Sequence, residues 1–428
     1  MRITVENFSC IKRADVELAG LNILIGPQAS GKSVISKLIF FCLDVHSQIA
    51  EGIVQERTFD AFTEDIKHKF GELFPLSAWG NGKFKIVFKV DAFEVKIARS
   101  SYNDEVKNSI RLSLSLAVKD IYRAGLEVVK SSKSKATTTP HRRFQDFELT
   151  WKLRQQIATM VHRQFPRSSP NNLTFIPAGR SFFTNLGKAF LAFDQGRLLD
   201  PITVRFGRLY SSLISENVYF DVPKSREMIE DLAMILGGDI NRQGERVTIR
   251  CADGRDIPLS ALSSGQQELL PLFLAFDFLH NFSGYVSSGQ QKEKMPDITF
   301  IEEPEAHLFP SAQSRLLQAL VGFVNVPQFK RQLILTTHSP YVLSKINNLI
   351  KAGDLERRLG KSYLPVLNSV IPKRARLTAG TVRAYAIVDG VTKSILDEDG
   401  LINADYLDDI SNEIGSEFSR LLEIEFQE

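Results

Sequence analysis

The sequence predicts an α/β protein built on a mixed sheet, and three observations predict it. Short apolar runs rich in Ile, Leu and Val recur along the chain, at Leu21–Ile25, Leu173–Ile176, Ile298–Ile301 and Leu333–Leu335, and each ends in a polar stretch. Short runs of this kind, bounded by turn residues, read as buried strands. Runs at helical spacing follow or separate them, which is the pattern of parallel strands joined by helices. Between the first two runs the pattern changes to strict alternation, at Phe84–Val90 and Phe93–Ala98, which predicts an antiparallel pair with one solvated face.

In chain order, Ile3–Phe8 and Ala14–Leu18 alternate as strands and Gly20 opens the third strand, Leu21–Ile25. Val34–Val45 places Ile35, Leu38, Ile39, Cys42 and Leu43 at helical spacing, and residues 34–70 read as mainly helical. Ile110–Leu116 alternates and predicts one more strand. Helix-like runs over about 119–130 and 144–164 flank Ser131–Pro140, which has a single apolar residue, Ala136, and is expected to be a mobile loop. This stretch, 119–171, reads as a basic helical insertion: residues 123–154 carry eight Lys/Arg against three Asp/Glu. Leu173–Pro177 returns to the core as a strand and ends in Ala178-Gly179-Arg180, where spacing alone favours a surface arginine. Residues 182–236 read as helical with breaks near Gly196 and Pro201, Arg246–Arg250 as a strand, and Asp253-Gly254 as a turn. Beyond 351, Val382, Ala384, Ala386 and Val388 alternate within a hairpin at 382–396. Residues 404–424 read as a helix with an acidic face; residues 397–428 hold eleven Asp/Glu and one Arg.

Four stretches carry chemistry. Gly26-Pro27-Gln28-Ala29-Ser30-Gly31-Lys32-Ser33 reads G-x-x-x-x-G-K-S between a strand and a helix, the context a phosphate-binding loop requires. Its glycines let backbone N–H groups approach a phosphate chain, Lys32 reaches the β- and γ-phosphates, and the Ser33 hydroxyl ligates Mg²⁺. Leu262-Ser263-Ser264-Gly265-Gln266-Gln267-Glu268 opens a helix with Ser263 or Ser264 as its cap. Ile298–Ile301 runs into Glu302-Glu303-Pro304, an apolar strand ending in two carboxylates: Glu302 to hold Mg²⁺, Glu303 to orient and deprotonate water. Leu333–Leu335 leads to Thr336-Thr337-His338-Ser339-Pro340. His338 falls 35 residues after Glu303, room for a helix at Pro310–Val324 and hence a β-α-β crossover.

In this order the four stretches resemble the ABC-type ATPases of the Rad50/SMC and OLD branch. The resemblance covers roughly residues 1–118 and 172–350, the two parts of an ATPase core. It implies a P-loop NTPase fold, an ABC-type ATPase head with a mixed sheet, an antiparallel β subdomain and a helical insertion, followed by a C-terminal extension at 351–428. Glu302-Glu303-Pro304-Glu305-Ala306-His307-Leu308-Phe309-Pro310 is similar to an OLD-type Walker B and D-loop, and Thr337–Pro340 to an H-loop. Phe175–Arg180 also resembles a stretch of OLD-like ATPases, which makes Arg180 a candidate for the nucleotide site. The resemblance implies ATP and Mg²⁺, and a head-to-tail homodimer or higher homo-oligomer. In it, Ser263, Ser264, Gly265 and Gln266 of one subunit close on ATP held by Lys32 of another. Ser264 stands where many relatives have Gly and Glu302 where many have Asp, and no Q-loop glutamine is identified. No long heptad tract accompanies the core. Ala386–Gly390 faintly resembles the first motif of a TOPRIM nuclease, but too few residues follow for that domain. Standalone ATPases of this kind resemble the sensor subunits of Septu-like and PARIS-like anti-phage systems.

The expectation is therefore an ATPase switch controlling a separate effector, a nuclease. The alternatives are a DNA-binding ATPase clamp in repair or recombination, which would use the basic insertion and the Arg-rich 357–376, and a nucleotide-gated scaffold that hardly turns over. A net charge of +3 over 428 residues does not by itself imply nucleic acid. The three cysteines have no metal spacing and suggest reduced thiols in a cytoplasmic protein, with no signal peptide and no run of 18 apolar residues.

Overall fold

The computed structural model describes residues 1–80, 82–99, 110–136, 142–190, 199–215, 226–243, 246–287 and 295–403, with residue 416. Strands β1 (Arg2–Phe8), β2 (Ile11–Glu17) and β3 (Leu21–Ile25) lead into helix α1 (Lys32–Val54) and α2 (Phe59–Leu73). Next come β4 (Phe84–Val90), β5 (Phe93–Arg99) and β6 (Arg111–Leu114), then α3 (Leu116–Ala136) and α4 (Arg142–Gln164). The chain re-enters the sheet as β7 (Asn172–Ile176), followed by α5 (Ser181–Leu186), α6 (Pro201–Ser215) and α7 (Arg226–Leu236). A separate three-stranded sheet comprises β8 (Asp239–Gln243), β9 (Arg246–Arg250) and β10 (Asp256–Pro258). Helix α8 (Ser264–Ser287), β11 (Pro296–Glu302), α9 (Pro310–Val324), β12 (Lys330–Thr337), α10 (Pro340–Arg358) and α11 (Leu364–Val370) precede β13 (Val382–Val388) and β14 (Val391–Ser394).

All other strands form one sheet in the order β6-β5-β4-β1-β2-β14-β13-β3-β12-β11-β7. From β13 to β7 it is parallel; β6, β5, β4, β1 and β2 are antiparallel. The architecture is the expected α/β one: a mixed sheet with a parallel part and an antiparallel part. The parallel strands are buried on both faces: all of β3 and β11 is buried, which is why they read as continuous apolar runs. Phe175 and Phe300 stack at 5.6 Å between ring centroids, and Phe40 of α1 meets both edge-on. By length and composition α1 could cross a membrane; here its apolar face belongs to the core against the sheet.

Two expectations are corrected. Ser131–Ala136 is helical, the last turn and a half of α3. The Ser131 and Ser134 hydroxyls bond back to the carbonyls of Val128 and Ser131, and Lys133 pairs with Glu56. The helix thus runs past the point where apolar spacing stops. Second, α3 and α4 do not stand apart from the core: Val118, Tyr122, Val129, Leu153, Ile157, Val161 and Phe165 are buried in the same cluster as α1. Residues 137–140 of the expected loop, residue 141, and 404–424 apart from residue 416 lie outside the described residues.

His46 of α1 lies in that core, edge-on to Phe93 and Phe165, with its Nε2 3.1 Å from the Ser169 hydroxyl. Burial, with a smaller contribution from His162, pushes its pKa down to about 3, and burial with Arg331 pushes His280 down to about 4. Unfolded histidines take up a proton below about pH 6.5, whereas these do not until well below it. The fold should therefore lose stability as pH falls from about 6.5 towards 4. The urea midpoint should drop over that range, and the drop should be shallower in His46→Gln; an equal slope in the variant would contradict the account.

Candidate functional site

Parallel pairing sets the site. Ile25 lies opposite Thr337, Thr336 opposite Glu302, and Ile301 opposite Ile176. The carboxyl ends of β3, β12, β11 and β7 therefore share one edge of the sheet, where open α/β sheets bind ligands. The loop after β3 turns into α1 through Ala29 at φ +61° and Gly31 at φ +105°. A side chain at Gly31 would lie 2.3 Å from Ile11 Cδ1, and one at Gly26 would lie 2.5 Å from the carbonyl oxygen of Ile387 in β13. Both glycines are thus required by close backbone approach. The Lys32 ammonium, buried, donates to the carbonyls of Gly26 (2.9 Å) and Pro27 (2.7 Å). Burial pushes its pKa below the ordinary lysine value, opposed by the carboxylates of Glu303, Glu305 and Glu302. Pro27, Gln28, Ala29 and Ser33 are exposed at the mouth of the loop, with Ser30 partly so.

At the end of β11 the chain folds back sharply: Glu303 takes φ +44° and His307 φ +58°. Glu302 is buried; its Oε2 accepts a long bond from the Ala178 N–H (3.4 Å), and its Oε1 is buried with no hydrogen-bond partner. Glu303 is half-exposed, its N–H donates to the Thr336 carbonyl (3.0 Å), and its Oε1 lies 3.2 Å from His338 Nε2. Lys32, Glu302, Glu303 and His338 are thus brought to one edge.

Arg180 departs from both expectations for it. It is neither a surface residue nor directed at a phosphate: it is 1% exposed. Its Nη1 donates to the carbonyls of Pro177 (3.1 Å) and Glu302 (2.7 Å), its Nη2 to that of Glu303 (3.0 Å), and its Nε to that of Glu268 (3.1 Å). The Glu268 carboxylate accepts from the N–H groups of Arg180 (2.9 Å) and Ser181 (3.1 Å), capping α5, and lies 3.5 Å from Arg180 Nε. Burial pushes the guanidinium below its ordinary value, with Glu268 first among the carboxylates opposing it.

The helix α8 begins with a capping box. Ser263 Oγ accepts from the Gln266 N–H (3.4 Å), and Gln266 Oε1 accepts from the Ser263 N–H (3.0 Å). Gln266 Nε2 also donates to the carbonyl of Leu236 at the end of α7. Gly265 packs on the D-loop, where an added side chain would lie 3.0 Å from the His307 carbonyl oxygen. Pro271, inside α8, has no N–H to give the Gln267 carbonyl, and the Thr184 hydroxyl supplies that bond instead (2.7 Å). Gly265 is thereby held against the turn at His307 and Gln266 against the end of α7, and Ser264 is exposed.

Sequence reasoning passed over Glu268 and Glu305. Glu305 is buried, and its Oε1 accepts from the Thr337 hydroxyl (2.5 Å) and the His338 N–H (2.9 Å). Its place two residues after Glu303 was the available signal.

Removing a buried partner leaves the other uncompensated, at about 3–5 kcal/mol. Arg180→Leu should therefore lower the unfolding free energy by roughly that amount, since it leaves the buried Glu268 carboxylate without its cation and removes a donor from the carbonyls of Glu302 and Glu303. Chemical denaturation measures this, and a change under about 1 kcal/mol would contradict a buried clamp.

Among solved structures, the SMC head domain from Thermotoga maritima is 14% identical, with a TM-score of 0.36, covering 93% of this chain and 98% of that one. An SMC head bound to the C-winged helix domain of ScpA is 15% identical, with a TM-score of 0.41, over 92% and 96% of the two chains. The recombination mediator RecF, solved with a nucleotide, is 10% identical, with a TM-score of 0.33, over 92% and 97%. No curated protein matches the sequence. Residues 21–344 match the family described as "AAA domain, putative AbiEii toxin, Type IV TA system". That span runs from the phosphate-loop strand through Lys32, Glu303 and His338, and the chain belongs to this AAA-domain family.

Proposed function

We propose that this protein is an ATP-hydrolysing switch that closes as a head-to-tail homodimer around ATP and controls a separate effector, a nuclease, in defence against phage. The observation that carries the hydrolytic part is the His338 imidazole 3.2 Å from the Glu303 carboxylate, at the strand ends that also hold Lys32. Lys32 and the loop N–H groups take the phosphates, Lys32 exchanging the Gly26 and Pro27 carbonyls for phosphate oxygens. Ser33 and Glu302 fit Mg²⁺: Glu302 Oε1 is a buried carboxylate oxygen with no hydrogen-bond partner, an arrangement that favours a cation. Bound there, Mg²⁺ neutralises charge on the phosphate chain. Glu303 orients and deprotonates the attacking water, and His338 holds that carboxylate in place. Ser263–Gln266 of a second copy completes the nucleotide site.

The defence part rests on the OLD-like strings at Glu302–Pro310 and Phe175–Arg180. A family description that names a toxin is in keeping with it. The DNA-clamp alternative draws on the basic insertion and the Arg-rich 357–376. In the latter, Arg374 pairs with Asp231 (2.6 Å) and Arg376 with Glu356 (3.1 Å), while Arg357 and Arg358 share Asp354, so these carboxylates offset part of the segment's positive charge.

Glu303→Gln should bind ATP, lower kcat by about 100-fold or more, and sediment as a stable dimer with ATP and Mg²⁺. Lys32→Ala should lose ATP binding. A Glu303→Gln variant that hydrolyses like the wild type would remove Glu303 as the base. Affinity purification of Glu303→Gln from its own host with ATP tests the effector: a stoichiometric nuclease supports the switch, whereas salt-sensitive DNA in its place favours the clamp.

A further inference from the structure

Glu305 is a carboxylate that the proposed chemistry does not use, in a place where carboxylates are costly. It is 8% exposed. Its Oε2 is buried without a hydrogen-bond partner among the described residues. Desolvating a carboxylate costs several kcal/mol, so an apolar side chain of similar volume would be the more stable occupant unless the acceptor is needed. What the acceptor does is visible at Oε1. It takes the Thr337 hydroxyl and the His338 N–H, the two groups that end β12. The Thr337 hydroxyl oxygen in turn accepts from the Ser339 N–H at 3.0 Å, so one carboxylate oxygen organises three consecutive residues of the turn. That turn carries the imidazole facing Glu303.

The sequence spacing explains how Glu305 reaches it. The left-handed backbone at Glu303 reverses the chain, and the Ala306 N–H closes the turn on the Glu303 carbonyl at 3.1 Å. Glu305 then points back to the strand beside its own. Arg180 holds the opposite side of the same turn through the carbonyls of Glu302 and Glu303. The turn that bears Glu303 is thus fixed between a buried cation and a buried carboxylate.

We propose that Glu305 is a positioning residue for hydrolysis: its carboxylate oxygen fixes the Thr337–Ser339 turn so that the His338 imidazole meets the Glu303 carboxylate. The inference rests on the ATPase reading above. What it requires is an acceptor at Oε1, which a glutamine also supplies, and not a negative charge.

The test is steady-state phosphate release by the full chain with ATP and Mg²⁺, giving kcat and KM, alongside the Kd of a fluorescent ATP analogue. Glu305→Ala should lower kcat by about 30- to 100-fold, the scale of a misplaced catalytic group, with the analogue's Kd unchanged. Glu305→Gln should retain most of kcat. Thr337→Val, which removes a donor from the other side of the bond, should lower kcat in the same way and decides the matter if Glu305→Ala does not fold. Loss of kcat in Glu305→Gln as deep as in Glu305→Ala overturns the inference, because charge would then be the requirement. So does loss of analogue binding in Thr337→Val, or kcat unchanged in both Glu305→Ala and Thr337→Val. A wild-type chain that does not hydrolyse ATP instead overturns the ATPase reading, and this inference with it.

Discussion

A guanidinium with almost no access to water ties together the parts of this molecule that must act in concert. Arg180 leaves the end of β7, reaches across the end of β11, and donates to a carbonyl at the start of α8. The end of β7, the acidic turn and the helix capped by Ser263 belong to separate stretches of chain, and helix packing alone would leave small freedoms between them. Fixed donor geometry removes those freedoms, because a planar fork can satisfy its acceptors in only one relative placement. The cost is a desolvated charge, offset by Glu268 and by the backbone carbonyls that accept from it.

That bond network explains the division between what could and could not be read from the residues. Gly26–Ser33, Glu302-Glu303 and Thr337-His338 were legible because each is local: a strand, a turn and a few side chains whose types the chemistry dictates. The helix Pro310–Val324 followed from the spacing between two of them. Arg180 was misplaced, because an arginine beside a strand end reads as exposed unless one knows that β11 and α8 cover it. Glu268 has no local signature either and Glu305 only its place beside Glu303; their partners lie 87 and 32 residues away. The polar tract Ser131–Ala136 misled in the other direction, its hydroxyls bonding to the helix backbone instead of to water. Strand β10 escaped notice because three residues establish no period, and β8 because Ile240 is its single apolar residue.

The two halves of the main sheet differ in kind. In the antiparallel half most pairings join neighbours in sequence, β1 with β2, β4 with β5 and β5 with β6, and β1 with β4 is the exception, whereas every pairing in the parallel half joins distant segments. They do not touch directly. Between β2 and β3 stand β14 and β13, the last strands described. The Gly390 carbonyl accepts from the N–H groups of Lys12 and Arg13, and the Tyr385 hydroxyl bonds both the N–H and the carbonyl of Glu17. On its other side β13 pairs with β3 and places the Ile387 carbonyl against Gly26.

This seam has a consequence for the chain as it emerges from a ribosome. Residues 1–25 leave first, yet the gap between β2 and β3 closes only when residues 382–394 arrive, so the longest loop in the sheet is also the last to be shut. Until then the strand that feeds the phosphate loop has an open edge, and Gly26 has no carbonyl packed against it. An incomplete molecule therefore presents an unpaired strand edge beside the loop until its last strands arrive.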